Sequence, residues 1–213
     1  MGDLIRLADR RTRRRPDATE GVRAEFFFDL ASPFTYLAAE RIERAFDVVT
    51  WTPACARTLR CGDLPASEAE AGEVLGRAEQ RAAAMRLPLE WPERWPAPVP
   101  AAMRVAHHAA QAGRGAAFVL AATRLAFAGG FDLEDVEILT EAAAAAGLPL
   151  DDCLRAARED RRDGAIEAAA RRLLGAGADR LPALAVDTRL LWGEERVADA
   201  AATARLRAAA MTT

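Results

Sequence analysis

Residues 24–53 constrain the chain most. The segment AEFFFDL at 24–30 is a short apolar run with three consecutive phenylalanines, and it reads as a buried strand. Ala31, Ser32 and Pro33 interrupt it. Phe34, Leu37, Ala38, Ile42, Ala45 and Phe46 then recur close to the spacing of one helical face. Ser32 is a good N-cap residue and Pro33 a good first helical residue, so the helix start is marked twice. VVTWT at 48–52 predicts a second strand, ended by Pro53. A β–α–β unit thus occupies about 30 residues.

The segment 55–72, with Gly62, Pro65, Ser67 and Gly72, reads as a loop, and a helix is expected from about Glu73 to Arg86. LPLEWPERWPAPVP at 87–100 holds five prolines, which excludes a helix interior or a central strand. It predicts a stiff, extended connector anchored by Trp91 and Trp95. Helices are expected over 101–112, 115–128, 132–146, 151–158 and 160–174, punctuated by Gly113, Gly129-Gly130 and Gly147, with Asp132 as a candidate cap. GAGADRLP at 175–182 reads as a turn, ALAVD at 183–187 and RLLW at 189–192 as strands, and 195–209 as the last helix. The order predicts an α/β chain with one mixed sheet interrupted by a helical block. The expected parts are a leader at 1–22, a sheet-bearing domain from 23–54 and 176–213, and a helical insertion at 55–175.

Composition narrows the chemistry. At 213 residues the chain can bury a core without staples, and three cysteines do not make a disulfide scaffold. A net charge of -3 argues against a general nucleic-acid binder. All 29 basic residues are arginine, and no asparagine occurs, so Schiff-base and P-loop lysines are excluded. The Arg-rich stretch at 10–15 is followed by no apolar segment, so 1–22 is expected to be a solvated leader rather than a signal. No run of 18 apolar residues occurs, and a cytoplasmic protein is expected.

Ser32 is the strongest local candidate for chemistry. A helix N-terminus favours an anion by about 0.3–1 kcal/mol, and by up to ~2 kcal/mol when partly buried. A hydroxyl there can also donate to that anion. The alternative is that Ser32 only caps its own helix. Leu181-Pro182 leads into an apolar strand, and on local grounds the bond is expected to be trans. Cys55, Cys61 and Cys153 form no C-x-x-C pair, which disfavours a disulfide oxidoreductase. His107 and His108 are adjacent, point about 100° apart on a helix, and suit no metal. No G-x-S-x-G elbow surrounds Ser32, and Gly175-x-Gly177 opens no helix. Tyr36 is expected to pack rather than to act as an acid.

FFFDLASPFTYLA at 26–38 resembles the opening of the DsbA-like thioredoxin family. It is most similar to the branch of 2-hydroxychromene-2-carboxylate isomerases and kappa-class glutathione transferases, in which S-P-x-[ST] replaces the redox C-x-x-C. Here that motif is Ser32-Pro33-Phe34-Thr35. RLPALAVD at 180–187 resembles the family's cis-proline strand, and LWGEERV at 191–197 its W-G-x-D-R segment. The resemblance covers about 24–208. It implies a thioredoxin-like fold with a helical insertion and a catalytic Ser32 that hydrogen-bonds the sulfur of glutathione or another small thiol. It also implies a Leu181 that offers backbone groups beside a cis Pro182. Glu194, Glu195 and Arg196 would hold the γ-glutamyl end. Phe34, Thr35, Trp91 and Trp95 would wall the substrate pocket.

Two departures accompany the resemblance. Relatives use Lys or Asn for the thiol's carboxylates, and this chain has neither, leaving Arg57, Arg60 or Arg77 as substitutes. Glu194 replaces a small hydroxyl residue and adds a second acid beside Glu195. The implied activity is a thiol-dependent isomerase acting on an aromatic-degradation intermediate: the thiolate adds to an electron-poor double bond, the ring opens, the adduct rotates and the thiol leaves. The alternatives are a kappa-like glutathione transferase or peroxidase, and a non-catalytic thioredoxin-fold binding protein. The implied partners are a small-molecule substrate and a second copy of the chain, with no metal, nucleic acid or membrane.

Overall fold

The computed structural model describes residues 23–210 apart from 43, 47, 60–63 and 66, with no side-chain description at 68 and 204–210. The leader, Arg60 and Cys61 therefore lie outside the described residues. Four strands form one sheet: β1 (Arg23–Phe28), β2 (Val48–Pro53), β3 (Ala183–Val186) and β4 (Arg189–Trp192), in the order β2-β1-β3-β4. β2 runs parallel to β1, with Phe26 opposite Trp51. β3 runs antiparallel to β1, with Phe27 opposite Ala183, and β4 runs antiparallel to β3.

This topology accounts for the three phenylalanines. β1 is an internal strand, and successive side chains of a strand point to opposite faces. Phe26 and Phe28 face the larger core, while Phe27 faces a second one with Ala169, Ala170 and Leu173. Trp51 sets its edge against Phe26 at 5.0 Å between ring centroids. Each fully buried phenylalanine contributes about 1.5–3 kcal/mol, so both faces must be covered by helices.

The helices are α1 (Pro33–Ile42), α2 (Glu68–Met85), α3 (Pro100–Gln111), α4 (Gly115–Phe127), α5 (Val136–Ala145), α6 (Leu150–Ala157), α7 (Asp163–Gly175) and α8 (Glu194–Ala210), with a 3-10 turn at Asp160–Arg162. α7 supplies the cover for Phe27. α1 is buried on more than the stripe read from its sequence, because Thr35, Tyr36 and Ala39 are buried as well. The Tyr36 ring stacks on Phe127 of α4 at 6.3 Å, and its hydroxyl donates to the Pro88 carbonyl at 3.1 Å. α4 can come this close because it starts at a glycine: a Cβ on Gly115 would stand 2.8 Å from Trp51 Cβ.

Three boundaries differ from expectation. α2 begins at Glu68 rather than Glu73, because Ser67 Oγ accepts the Glu70 N–H at 3.3 Å and Gly72 sits inside the helix with open space beside it. α5 begins at Val136 rather than Asp132. Asp132 Oδ1 instead accepts the Glu134 N–H in the preceding turn, and Asp135 Oδ1 caps the helix through the Glu137 N–H. α1 ends at Ile42, four residues before Phe46, although Ala45 and Phe46 remain buried. The proline-rich connector is extended, as expected, and hydrogen bonds fasten it. Glu90 N–H donates to the Phe127 carbonyl at 2.8 Å, and Trp95 Nε1–H donates to the Ala31 carbonyl at 3.1 Å.

Candidate functional site

The corner between β1 and α1 is fixed from within by Asp29. Its Oδ1 accepts the Ala31 N–H and its Oδ2 the Ala56 N–H, both at 2.9 Å, and its carbonyl accepts the Ser32 N–H at 3.1 Å. Asp29 is 5% exposed. Burial pushes its carboxyl above the ordinary carboxylate range, against the opposing pull of the two backbone donors and Arg57. One side chain therefore joins the end of β1, the residue before Ser32 and the loop after β2.

On this support Ser32 and Thr35 are fully buried, and neither hydroxyl has a hydrogen-bond partner. The capping reading of Ser32 is thus corrected, because its hydroxyl oxygen accepts no N–H of α1; the Thr35 N–H goes to the Ser32 carbonyl at 3.0 Å. A buried, unsatisfied polar group costs about 1–3 kcal/mol, and such groups are few in native proteins. Here two of them belong to one four-residue motif, one just before and one within the first turn of a helix whose N-terminus attracts negative charge.

The Leu181–Pro182 peptide is cis, as the family resemblance implied and against the local expectation. Pro182 immediately precedes Ala183, whose partner on β1 is Phe27, so the proline stands at the same end of the sheet as the Ser32 corner. The Pro182 carbonyl accepts the Gly193 N–H at 2.9 Å. Gly193 has φ +86°, a left-handed conformation that glycine adopts readily, and this turns the chain from β4 into α8.

A cavity of about 320 Å³ opens at this end, lined by Phe34 of α1, Arg77, Gln80 and Arg81 of α2, Arg180, and Trp192 to Arg196. Its volume suits a small ligand. The structure thus brings Phe34, Glu194, Glu195 and Arg196 together on one cavity. Ser32, Thr35, Leu181 and Pro182 are buried at the same end of the sheet without lining it. Trp91 and Trp95 are not brought in. Their rings lie 4.6 Å apart, and Trp95 borders a separate small hollow with Leu30, Ala31 and Phe127.

The cavity wall is rich in guanidinium groups. Arg77 lies over the Phe34 ring at 5.0 Å and Arg196 over the Trp192 ring at 5.9 Å. Glu194 and Glu195 are not a pair of equivalent acids. Glu194 is buried against Arg81 and Arg41, whereas Glu195 is exposed. Of the three arginines named as substitutes for the missing Lys and Asn, Arg77 lines the cavity, Arg57 is exposed near Asp29, and Arg60 lies outside the described residues. Sequence reasoning missed Gln80, Arg81 and Arg180. The available signals were the i, i+4 spacing of Arg77 and Arg81 and the position of Arg180 before Leu181-Pro182. Planar guanidinium forks recognise carboxylates, and Glu195 offers an acceptor for an ammonium.

Elsewhere, Cys55 is half-buried and Cys153 buried, both as free thiols. Among the described residues no helix is long and apolar enough to cross a membrane.

Comparison with known proteins agrees with the architecture. No curated protein matches the chain in sequence. Among solved structures, a 2-hydroxychromene-2-carboxylate isomerase is similar at TM-score 0.71 and 15% identity, over 90% of this chain and 99% of the other. A probable DsbA oxidoreductase from Streptomyces coelicolor is similar at TM-score 0.68 and 22% identity, over 86% of this chain and 88% of the other. The cytosolic disulfide reductase DsbM from Pseudomonas aeruginosa, solved with GSH, is similar at TM-score 0.62 and 16% identity, over 87% of this chain and 98% of the other. At these identities the likeness is one of fold. The family model for the DSBA-like thioredoxin domain matches residues 23–203. With its mixed four-stranded sheet, cis-proline strand and helical insertion, the chain belongs to the DSBA-like thioredoxin domain family.

Proposed function

We propose that this chain is a glutathione-dependent isomerase of the 2-hydroxychromene-2-carboxylate type, acting on an aromatic-degradation intermediate. The observation that carries the reading is the buried, unpartnered hydroxyl of Ser32 immediately before the first turn of α1. Bound glutathione would supply the nucleophilic sulfur. Ser32 would donate its O–H to that sulfur and favour the thiolate, helped by the N-terminal field of α1. A hydrogen bond to a charged group contributes about 1.5–3 kcal/mol, and one pKa unit corresponds to about 1.4 kcal/mol. Ser32 alone is therefore able to lower a thiol from about 8.5 toward 7, which makes much of it reactive at neutral pH. The hydroxyl is closed to solvent in this conformation, so binding must shift the side chains over it.

The cavity residues would orient the thiol. Arg77, Arg180 and Arg196 meet carboxylates and Glu195 meets the ammonium, while the backbone of Leu181 faces the cysteinyl portion. The protein supplies orientation and charge stabilisation rather than a nucleophile of its own. The test is conversion of 2-hydroxychromene-2-carboxylate with reduced glutathione, with free thiol counted before and after. Isomerisation without thiol loss is the expected result. Steady thiol consumption would replace the isomerase with a transferase, and no thiol binding at all would remove both.

A further inference from the structure

Glu194 is the first residue of α8, yet its carboxylate is withdrawn from solvent. The side chain is 2% exposed, with Oε2 2.7 Å from Arg81 Nε and Oε1 3.5 Å from Arg41 Nη1. Three elements meet at this carboxylate: the start of α8, the C-terminal part of α2, and the last turn of α1, the helix that follows Ser32 and carries Thr35 at its other end. Desolvating a carboxylate costs several kcal/mol, and well-packed apolar residues often hold such a junction equally well. Cohesion alone therefore does not explain an ion pair here, whereas its location does. Arg81 and Glu194 both belong to the cavity wall. Arg77 stands one turn before Arg81 on α2 and Gln80 immediately before it, and Glu195 and Arg196 follow Glu194 on α8.

We propose that Glu194 is a positioning residue for thiol binding. It fixes Arg81, and through Arg81 the cavity face of α2, against the first turn of α8. The Arg77 and Gln80 wall is thereby held at the separation from the Glu195 and Arg196 wall that a single ligand spans. This rests on the thiol reading above and changes one part of it. The resemblance gave Glu194 a direct hold on the ligand, but both its oxygens are taken by guanidinium groups.

The test is a double-mutant cycle read as reduced-glutathione affinity by calorimetry, at a temperature where circular dichroism shows every variant folded. Glu194→Gln is expected to weaken binding about tenfold, and Glu194→Gln with Arg81→Gln to bind no more weakly than Arg81→Gln alone. Wild-type affinity in Glu194→Gln overturns the inference, and so does a double loss equal to the product of the single losses, which would mean that Glu194 touches the ligand itself. If a single variant does not fold, the apolar pair Arg81→Met/Glu194→Met takes its place. A stable pair that keeps its glutathione affinity supports positioning, because the junction is then held without either charge, and a stable pair that loses affinity overturns it, because the charges themselves then act on the ligand. No binding by the wild-type chain removes the thiol reading itself, an outcome distinct from all of these.

Discussion

At the junction of α3 with the 3-10 turn and α7, every polar group that is drawn inward finds a partner. Arg104 forks onto Asp163 at 2.7 and 2.6 Å and also donates to the Ala157 carbonyl at 3.2 Å. Arg162 donates to Glu159 at 2.7 Å, to Gln111 at 2.9 Å and to His107 Nδ1 at 3.2 Å. At the Ser32 corner the backbone is equally well held, by Asp29, but the two hydroxyls of the S-P-x-T motif are buried and unpartnered. The first arrangement is what stability alone selects. The second sacrifices stability, and its position at the start of a helix beside an arginine-lined cavity gives the reason. Under the proposed function, the two unpartnered hydroxyls of the described residues are groups left open for the thiol.

The sharpest way to break this contrast is Ser32→Ala. Thiol-dependent turnover is expected to fall about 100-fold, while unfolding by urea shows stability unchanged or raised by about 1 kcal/mol, because an unsatisfied group is removed. A large loss of stability without loss of turnover would reverse the two regions' roles. Asp29→Asn comes next. One backbone N–H would then face an amide N–H, with a loss of about 2 kcal/mol in denaturant unfolding and weaker thiol binding through a loosened Ser32. Arg104→Met should cost about 1 kcal/mol, since the pair is partly exposed, and lower Tm by about 2–4 °C, with thiol affinity untouched.

The smallest effect is on the pH dependence of stability. Burial, Arg162 and His108 hold His107 below its ordinary pKa of 6.5. A histidine depressed in the folded state contributes stability above its unfolded pKa, and that contribution is lost as pH falls through the lower folded value. Stability should therefore rise with pH on approaching 6.5 from the acid side, and His107→Gln should flatten that slope in urea titrations.

The β–α–β unit, the helical block and the returning hairpin were legible because periodicity and prolines are local signals. FFF reads as buried without any knowledge of the sheet, and the topology adds only which face each ring takes. The start of α2 was hidden because Ser67 and Gly72 are turn-like by composition, although one caps the helix and the other sits harmlessly within it. The S-P-x-T motif was visible, but its unpartnered state was not, since capping is what such a serine does elsewhere. The α2 wall was the least legible part. Arg77, Gln80 and Arg81 look like any solvated helix face until the fold sets them against α8, and Arg81 meets Glu194 across 113 residues of sequence. Trp95 illustrates the same limit. Its anchoring role was read correctly, but its hydrogen bond to Ala31, 64 residues away, belongs to tertiary structure.

The most direct measurement is the pKa of glutathione's thiol when bound, followed by ultraviolet thiolate absorbance across pH in the wild type and in Ser32→Ala. The account predicts a bound value at least one unit below the free thiol's ~8.5 in the wild type, with most of that shift lost in the variant. An unshifted thiol in the wild type, or the same shift in both proteins, would contradict it.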